Sequence, residues 1–409
     1  MKGTILSLFA AMVAVFLSSL APASDKISLS PKEQLGKLIF FDGTLSTPAG
    51  QSCADCHGPE VGFTGPDEEI NKSGSVYEGA AKGRFGNRKP PASSYAGDSP
   101  VLRFDKKKKT WVGGMFWDGR AAGKKLKDPL AEQAQGPFLN PLEQNIPDTK
   151  ALCMMIGDSS YAALFEKVWG KGSLDCDKNA SLAYDRIAKS IAAYERSKEV
   201  NPFTSKFDYW LKKKTNLSEE ELLGLKVFEG KGKCAECHSS KRGTKGSRPL
   251  FTDFTYDNLG IPKNPRNPFY DMPSQWNPDG AAFVDTGLGG YLKEAGHKES
   301  VYEREMGKFK VPTLRNVDKR PSPDFLKAFG HNGYFKTLKE IVHFYNTRDI
   351  LGRCEKMNDP RPGTNCWPEP EVSGNINREE LGDLGLTDEE EDAIVAFLKT
   401  LSDGYTVER

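Results

Sequence analysis

Two short stretches of the sequence carry nearly the same five residues and could do redox chemistry. Residues 53–57 read Cys-Ala-Asp-Cys-His and residues 234–238 read Cys-Ala-Glu-Cys-His, in a chain with only five histidines. Cys-x-x-Cys places two thiols within reach of the two vinyl groups of one haem, and the next histidine is then the proximal ligand of the iron. A redox disulfide or half of a zinc site also uses Cys-x-x-Cys, but neither explains why a histidine directly follows both motifs. The spacing therefore predicts two covalently bound c-type haems, on Cys53, Cys56 and His57 and on Cys234, Cys237 and His238.

The N-terminus indicates where this chemistry takes place. Lys2 is followed by an apolar run from Ile5 to Leu20 and then by Ala21-Pro22-Ala23, a small-x-small cleavage pattern. This is typical of a secretory signal peptide, here residues 1–23. The run is too short for a membrane span, and no later stretch approaches eighteen uninterrupted apolar residues. We expect a mature periplasmic protein without a membrane span.

The remaining cysteines fit an exported protein. Beyond the two motifs, the chain has four more cysteines, and an oxidising compartment favours their pairing as disulfides. Four cysteines allow three pairings. The pairings between nearest neighbours are Cys153 with Cys176 and Cys354 with Cys366.

The charge balance argues against one class of partner. The chain has 57 Lys and Arg against 56 Asp and Glu, a formal net charge of +1. A protein with dispersed and nearly balanced charge lacks the basic surface that binds a phosphate backbone. We expect no nucleic-acid partner.

Helical patterns flank each motif at matching positions. Leu35–Phe40 precedes the first motif and Leu223–Phe228 precedes the second, each with apolar residues at helical spacing. Ser218, followed by three glutamates, indicates the N-terminus of the second of these helices. Closing helices are predicted over Leu182–Glu195 and Thr387–Leu401.

The repeated order of helix, motif, loops and closing helix predicts the fold class. We expect a mainly α protein made of two tandem cytochrome c-like domains with long loops. The boundary lies near residues 200–217, which gives domains over residues 24–205 and 206–409.

The type of chemistry depends on whether an iron keeps a free coordination site. A haem that only transfers electrons has both axial positions filled, usually by His with Met or His. No histidine lies between His57 and His238, and the methionines of that span are Met115, Met154 and Met155. Met154 and Met155 are interpreted as core residues because their surroundings are apolar. An open sixth position on the first haem is therefore favoured, and a non-enzymatic dihaem electron carrier is the alternative.

Several separated stretches resemble the bacterial dihaem cytochrome c peroxidase and MauG family over about residues 30–403. The stretches are Phe-Trp-Asp-Gly-Arg at residues 116–120, Glu-Gln-Ala-Gln-Gly-Pro at residues 132–137 followed by Asn140 and Glu143, Phe-Lys-Val-Pro-Thr-Leu-Arg-Asn at residues 309–316, and Gly-His-Asn-Gly at residues 330–333. In combination these motifs are highly specific.

The resemblance implies roles for residues around the first haem. Glu143 corresponds to the acid–base residue over the open, peroxidatic haem, with Gln133 positioning peroxide or water. Trp117 corresponds to the tryptophan between the two haems. A carboxylate in a mostly apolar pocket can be tuned to move a proton between the peroxide oxygens. From composition alone, Glu143 would be an ordinary loop residue and Trp117 a core aromatic.

The second, electron-transfer haem differs from most of the family in its distal ligand. Most members have a methionine fourteen residues beyond the position of His331, where this chain has Tyr345, as MauG also has Tyr. The resemblance implies that Gly330–Gly333 begins the helix that carries this ligand. A phenolate favours more oxidised iron than a thioether does. The alternative ligands are His343, His331 and Met306.

The chain also departs from the family pattern at three places. No histidine lies between the first motif and Trp117, so the first haem is expected to be open without reductive activation. Lys89 replaces the asparagine of the family's interdomain calcium site and an insertion spans residues 320–327, which weighs against calcium although Asn87 could substitute. Gly232 replaces a tryptophan that MauG uses to pass oxidising equivalents to its protein substrate.

Three functions follow in order of preference. The first is a periplasmic peroxidase that reduces hydrogen peroxide with electrons from a small cytochrome c or cupredoxin. The second is a MauG-like enzyme that oxidises Trp or Tyr residues of a partner protein through a high-valent state shared by both haems. The third is the electron carrier.

Overall fold

The computed structural model describes residues 28–242 and 247–407, so the predicted signal peptide lies outside the described residues. Within these ranges the chain is mainly helical. The helices, in chain order, are α1 (Pro31–Phe40), α2 (Glu68–Lys72), α3 (Pro129–Leu139), α4 (Thr149–Gly157), α5 (Ala162–Trp169), α6 (Cys176–Glu195), α7 (Lys206–Leu211), α8 (Glu219–Glu229), α9 (Gly287–Glu294), α10 (Glu299–Tyr302), α11 (Leu338–Thr347) and α12 (Asp388–Lys399).

The few strands form short two-stranded sheets between long loops. The antiparallel pairs are β1 (Arg103–Asp105) with β2 (Thr110–Val112) and β3 (Tyr256–Asp257) with β4 (Phe309–Lys310), and the parallel pair is β5 (Gly352–Arg353) with β6 (Cys366–Trp367). No helix of the described ranges combines the length and the hydropathy that a bilayer crossing needs.

Two large hydrophobic clusters divide the chain. The first is built from α1 and α3 to α6, and the second from α7, α8, α11 and α12. We refer to the described residues up to 205 as the first half and to those from 206 as the second half. Each cluster lies entirely within one half.

Each half is closed by a crossing of its first and last long helices, α1 on α6 and α8 on α12. Each crossing is permitted by its own glycine. A Cβ on Gly36 would lie 1.9 Å from the Ser190 carbonyl oxygen, and a Cβ on Gly224 would lie 1.8 Å from the Ala393 carbonyl oxygen. The two helix pairs therefore approach closely enough to exclude any side chain at these positions.

The helix predictions are confirmed with shifted ends. Ser218 caps α8 with a capping box that includes Glu221, and Thr387 caps α12 in the same way. The α6 helix begins at Cys176, six residues before the predicted start at Leu182. The additional turns are polar and partly exposed, so apolar spacing did not reveal them.

The prediction that Gly330–Gly333 begins the ligand-bearing helix is wrong. Gly330 and Gly333 have positive φ values of 83° and 66°, and a bridge between Phe329 and Phe335 closes this segment as a turn. The helix α11 begins at Leu338 after its N-cap, Thr337.

Both predicted disulfides are confirmed. Cys153 pairs with Cys176, and Cys354 pairs with Cys366. The cysteines of the two motifs are not paired in disulfides. Each disulfide lies within one half.

The two halves meet along a seam of buried polar contacts. Arg88 pairs with Asp118 and with Asp285, each at 2.6 Å, so the second half contributes one of its carboxylate partners. The Lys327 ammonium of the second half donates to the carbonyls of Val61, Asn316 and Lys319 at 2.9, 3.3 and 2.8 Å. Buried charges require such partners, so these contacts fix how the halves sit together.

Candidate functional site

The first motif opens onto a cavity with about 1030 Å³ of empty space. Cys53, Cys56 and His57 line it together with Gln133 and Glu143. The structure therefore brings the first haem-binding motif and the two predicted distal residues to one cavity.

The backbone orients the histidine of the first motif. The Nδ1 atom of His57 lies 3.1 Å from the Phe63 carbonyl oxygen and 3.2 Å from the Ser93 hydroxyl. Burial lowers the pKa of His57 to about 4, so the ring is neutral, as a metal ligand must be. With Nδ1 engaged, Nε2 is the nitrogen available to a metal.

Glu143 follows α3, which contains Pro137 and ends at Leu139. Burial raises the pKa of the Glu143 carboxyl, while Arg120 and a hydrogen bond from Asn140 oppose that shift. Gln133, on α3, is only 9% exposed. A raised pKa moves a carboxyl toward the range in which it serves as a general acid and base. The cavity thus offers an acid–base group and an amide beside the same ligand position.

Arg120 is a cavity residue to which the sequence analysis gave no role. It lines the first cavity, lies 3.8 Å from the centre of the Phe116 ring and binds Asp118 at 2.9 Å. Arg88 and Arg120 hold the pKa of Asp118 at about 2 although burial opposes this. Arg120 is the last residue of the Phe-Trp-Asp-Gly-Arg stretch, and this position in a family motif could have indicated that it lies at the site.

The methionines do not take part in the first cavity. Among the described residues that line it, His57 is the sole histidine and none is a methionine. Met115 is buried in the first cluster, as core residues are. The interpretation of Met154 as a core residue is wrong, since it is 53% exposed, whereas Met155 packs against the first cluster.

The second motif opens onto a larger cavity with about 1700 Å³ of empty space, lined by Cys234, Cys237, His238 and Tyr345. The Nδ1 atom of His238 lies 2.8 Å from the Phe251 carbonyl oxygen. Phe63 and Phe251, which supply the two carbonyls, have positive φ values of 59° and 53°. Such strain is uncommon outside glycine, and here it turns a carbonyl toward each histidine.

The structure separates the candidate distal ligands of the second cavity. His343 points away, because its Nδ1 lies 2.9 Å from Glu391, and Met306 is not among the lining residues. Tyr345 and His331 both line the cavity. Burial raises the pKa of the Tyr345 phenol, so a bound cation would be needed to stabilise its phenolate.

His331 is the unexpected member of this cavity. Its ring stacks on Phe309 with 3.5 Å between centroids, and neither ring nitrogen has a hydrogen-bond partner within the described ranges. The nearest carboxylate oxygen, on Glu371, is 3.8 Å away and is also unpartnered there. Tyr345 and His331 thus remain as the two candidate ligands.

Trp117 lies between the two cavities and lines both. Its indole N–H donates to the Lys89 carbonyl at 2.8 Å, and its own carbonyl accepts the Lys310 N–H at 2.8 Å. Two backbone contacts, one to each half, therefore hold the ring in place. This position agrees with the bridging location that the family resemblance implies.

Two lysines in the cavity walls become fully charged only when an anionic group lies beside them. Burial lowers the pKa values of Lys89 and Lys310 to about 7 each. Lys89 lines both cavities and Lys310 lines the second. The paired cysteines, the histidines with lowered pKa values, the apolar walls and the lysines that an adjacent carboxylate would keep charged fit haem, a planar apolar group with two carboxylates. Lys89 was expected only as a replacement in the family's calcium site.

Comparison with known proteins agrees with this arrangement. The family profile "Di-haem cytochrome c peroxidase" matches residues 30–216. The methylamine utilization protein MauG of Paracoccus denitrificans is 36% identical over 385 residues, which cover 93% of this chain and 90% of that protein. The cytochrome c551 peroxidase of Nitrosomonas europaea is 27% identical over 372 residues, which cover 90% and 79%.

The fold has the same relatives. The crystal structure of the diheme peroxidase BthA from Burkholderia thailandensis superposes with a TM-score of 0.74 at 30% identity and covers 92% of this chain and 87% of that one. The similarity thus extends over both motifs and both cavities. The chain belongs to the di-haem cytochrome c peroxidase family and is an enzyme of that family.

Proposed function

We propose that the protein carries two covalently bound haems c and uses hydrogen peroxide as its oxidant at the first. Cys53, Cys56 and His57 hold the first haem, and Cys234, Cys237 and His238 hold the second. The two halves are the tandem cytochrome c-like domains, residues 24–205 and 206–409. The single observation that carries the proposal is the presence of Glu143 and Gln133 in the cavity of His57, which has no second histidine or methionine among its described lining residues.

A haem held by Cys53, Cys56 and His57 would supply an iron that reacts with peroxide and accepts its oxidising equivalents. The chain supplies the proton transfer. Glu143 would take the proton from one peroxide oxygen and deliver it to the other, which leaves as water. The Gln133 amide orients the peroxide by a hydrogen bond.

Electron supply runs through the second cavity. Trp117 fills the space between the cavities and is fixed by backbone contacts on both sides, so it can couple them electronically. Two electrons and two protons complete the conversion of one peroxide to two waters. In the peroxidase form of the proposal, a small periplasmic cytochrome or cupredoxin delivers these electrons to the second haem.

A MauG-like activity is the second candidate, favoured by Tyr345 in the second cavity and by the 36% identity to MauG. In this form the electrons come from Trp or Tyr side chains of a partner protein. Gly232 occupies the position of MauG's exit tryptophan, and a Cβ there would lie 2.9 Å from the Val227 carbonyl oxygen. Exit of oxidising equivalents must therefore use another surface.

One experiment separates the candidates. The purified fully oxidised protein is mixed with one equivalent of hydrogen peroxide without any reductant, and the visible and near-infrared spectra are followed. A prompt change at both haems supports the open first site and the MauG-like candidate. Reaction only after pre-reduction of one haem supports a donor-fed peroxidase cycle. Absence of reaction under both conditions, with no cyanide binding, favours the electron carrier.

We also propose that no calcium joins the halves. The Lys89 ammonium donates to Thr64 Oγ1 at 2.7 Å and to the Pro90 carbonyl at 3.0 Å, while Lys327 donates to three carbonyls along the seam. Carbonyl oxygens are among the ligands that calcium prefers. Two buried lysine side chains already bind these oxygens, and a divalent cation would have to displace them.

A further inference from the structure

A polar pair lies beside the proximal histidine of the first cavity. Ser93 is 6% exposed and Glu195, the last residue of α6, is 2% exposed. The Ser93 hydroxyl lies 3.2 Å from His57 Nδ1, and Ser93 also lies beside Glu195, where it opposes the rise of that carboxyl's pKa; both residues line the first cavity. The Oε2 atom of Glu195 has no hydrogen-bond partner within the described ranges. A buried carboxylate with a free oxygen therefore stands one hydroxyl away from the proposed iron ligand.

The second half provides an internal comparison for Glu195. The crossing glycines match Ser190 of α6 with Ala393 of α12, since each contributes the carbonyl that faces the glycine. Five residues further along each helix stand Glu195 and Leu398. The position that Glu195 occupies in α6 is thus taken by an apolar residue, Leu398, in α12.

The same comparison holds for Ser93. The backbone carbonyls of Pro91 and Pro312 act as acceptors that raise the pKa values of His57 and His238, respectively. This shared position aligns the segment Lys89–Ser93 with the segment Lys310–Leu314. Ser93 then corresponds to Leu314. Both Leu314 and Leu398 line the second cavity. His238 consequently has a backbone carbonyl partner and leucines where His57 has a carbonyl, a serine and a glutamate.

The donors and acceptors form a consistent chain. When Nε2 of His57 binds a metal, Nδ1 carries the proton and donates to Ser93 Oγ as well as to the Phe63 carbonyl. The Ser93 O–H would then be free to donate toward the Glu195 carboxyl group. A carboxylate at the end of such a chain raises the basicity of the imidazole and hence its strength as a ligand.

The burial of Glu195 needs a compensating charge. Burial raises its pKa to about 8, with Ser93 and Arg196 opposing the shift. An isolated buried carboxylate is costly, and a cationic iron centre on His57 would provide the opposite charge that its position lacks.

We propose that Glu195 is a positioning residue that acts through Ser93 to strengthen His57 as a ligand of the first haem, and that the second haem lacks this device. The two haems then differ on their proximal sides as well as in their distal ligands. The inference rests on the proposed attachment of a haem at His57.

The test uses the holoprotein with Glu195→Gln, which keeps size and hydrogen bonding but removes the charge. Spectroelectrochemical titration gives the midpoint potential of each haem, and resonance Raman spectra of the reduced protein give the iron–histidine stretching frequencies. We expect at least a tenfold shift of the first haem's equilibrium toward the ferrous form, which is 59 mV for one electron. The first haem's iron–histidine frequency should fall, and both values of the second haem should stay unchanged.

Three further variants locate the effect. Glu195→Leu introduces the residue found at the corresponding position of the second half, Leu398. It provides a second test if the Glu195→Gln protein does not fold. If the action passes through Ser93, the double variant Ser93→Ala/Glu195→Gln should shift the potential no further than the larger single change. Glu199→Gln is the matched control, because Glu199 lies four residues on, binds Lys37 and Tyr194, and does not line the cavity. It should leave both potentials unchanged.

The outcomes distinguish this inference from the proposed function. In one outcome, the pyridine haemochrome assay finds two haems, but the first haem keeps its midpoint potential and its iron–histidine frequency in both Glu195→Gln and Glu195→Leu. This outcome would overturn the role of Glu195 and leave the proposed function intact. A wild-type protein without haem at the first motif, shown by mass spectrometry, would overturn the haem assignment and the inference with it.

Discussion

At the scale of single residues, Glu143 is the strongest test of the first cavity. We expect Glu143→Gln to slow the reaction with peroxide by about 10²–10⁴-fold, because the amide cannot carry the proton between the two oxygens. Stopped-flow absorbance at increasing peroxide concentrations gives the second-order rate constant. The haem spectrum of the resting variant should be unchanged, since Glu143 is not a ligand in this proposal.

An exposed glutamate gives the control for Glu143. Glu69 lies on α2 with an 81% exposed side chain, and its carboxylate pairs with Lys72. Glu69→Gln should keep the rate of the unaltered protein. A Glu143→Gln protein that reacts as fast as Glu69→Gln would remove Glu143 from the reaction.

Tyr345 is the residue that decides the second cavity. Tyr345→Phe should remove an anionic oxygen ligand, which shifts the second haem toward the ferrous form by about tenfold or more, or ~59 mV. Redox titration of the second haem and its ferric absorption spectrum measure this change. His331→Ala should leave both unaltered if Tyr345 is the ligand.

His343 supplies the matched control on the same helix. Its ring binds Glu391 outside the cavity, so His343→Gln should leave the potential of the second haem where it is. If His331→Ala rather than Tyr345→Phe changes the ferric spectrum, the assignment passes to His331.

At the scale of elements, the helix crossings in the two halves should be equally intolerant of a methyl group. Gly36→Ala and Gly224→Ala would place a Cβ within 2 Å of a helix backbone oxygen, which cannot move without separating the helices. Overpacking of this kind costs about 3 kcal/mol, or roughly 2–4 °C of unfolding temperature for each kcal/mol. Thermal unfolding followed by circular dichroism gives the change.

Gly157, at the end of α4, is the control for these substitutions. No atom lies within 4 Å of a Cβ built there, and its φ is not positive. Gly157→Ala should keep or slightly raise the unfolding temperature, by about 0.5–1 kcal/mol at most. Equal unfolding temperatures for Gly36→Ala and Gly157→Ala would contradict the close crossing.

Helices and disulfides with local sequence signals could be predicted from the sequence. The helices α1, α8 and α12 were predicted because apolar spacing and capping residues are local signals, and both disulfides were predicted because the partners are neighbours. The start of α11 was missed because the glycines of residues 330–333 form a turn.

Contacts between distant parts of the chain carry no such signal. Ser93 and Glu195 meet beside His57 although about a hundred residues separate them, and Lys327 reaches Val61 across 266 residues. No sequence window contains either pair. Glu143 and Gln133 were predicted from family resemblance, and the cavity that unites them with His57 required the folded chain.

At the scale of the whole molecule, the lysines of the seam predict insensitivity to chelators. Because Lys89 and Lys327 already bind the oxygens of the seam, EDTA should change neither the unfolding temperature nor the haem spectrum. Thermal scans with EDTA, with added calcium and with neither, together with metal analysis of the purified protein, make the measurement. If calcium raises the unfolding temperature and EDTA reverses that rise, the two lysine side chains do not take the place of calcium.

The placement of the disulfides has a consequence for biogenesis. Eight thiols could pair in 105 ways, yet the two bridges close separations of only 23 and 12 residues. Short loops close with less entropy loss than long ones, so the native pairs should outcompete pairing between the halves in an oxidising compartment. In the proposed exported holoprotein, the four motif thiols, each pair three residues apart, would meet the same oxidant and would have to stay reduced until they bind the haem vinyl groups. Under this proposal, maturation requires that four cysteines of one polypeptide are oxidised while the other four are kept reduced.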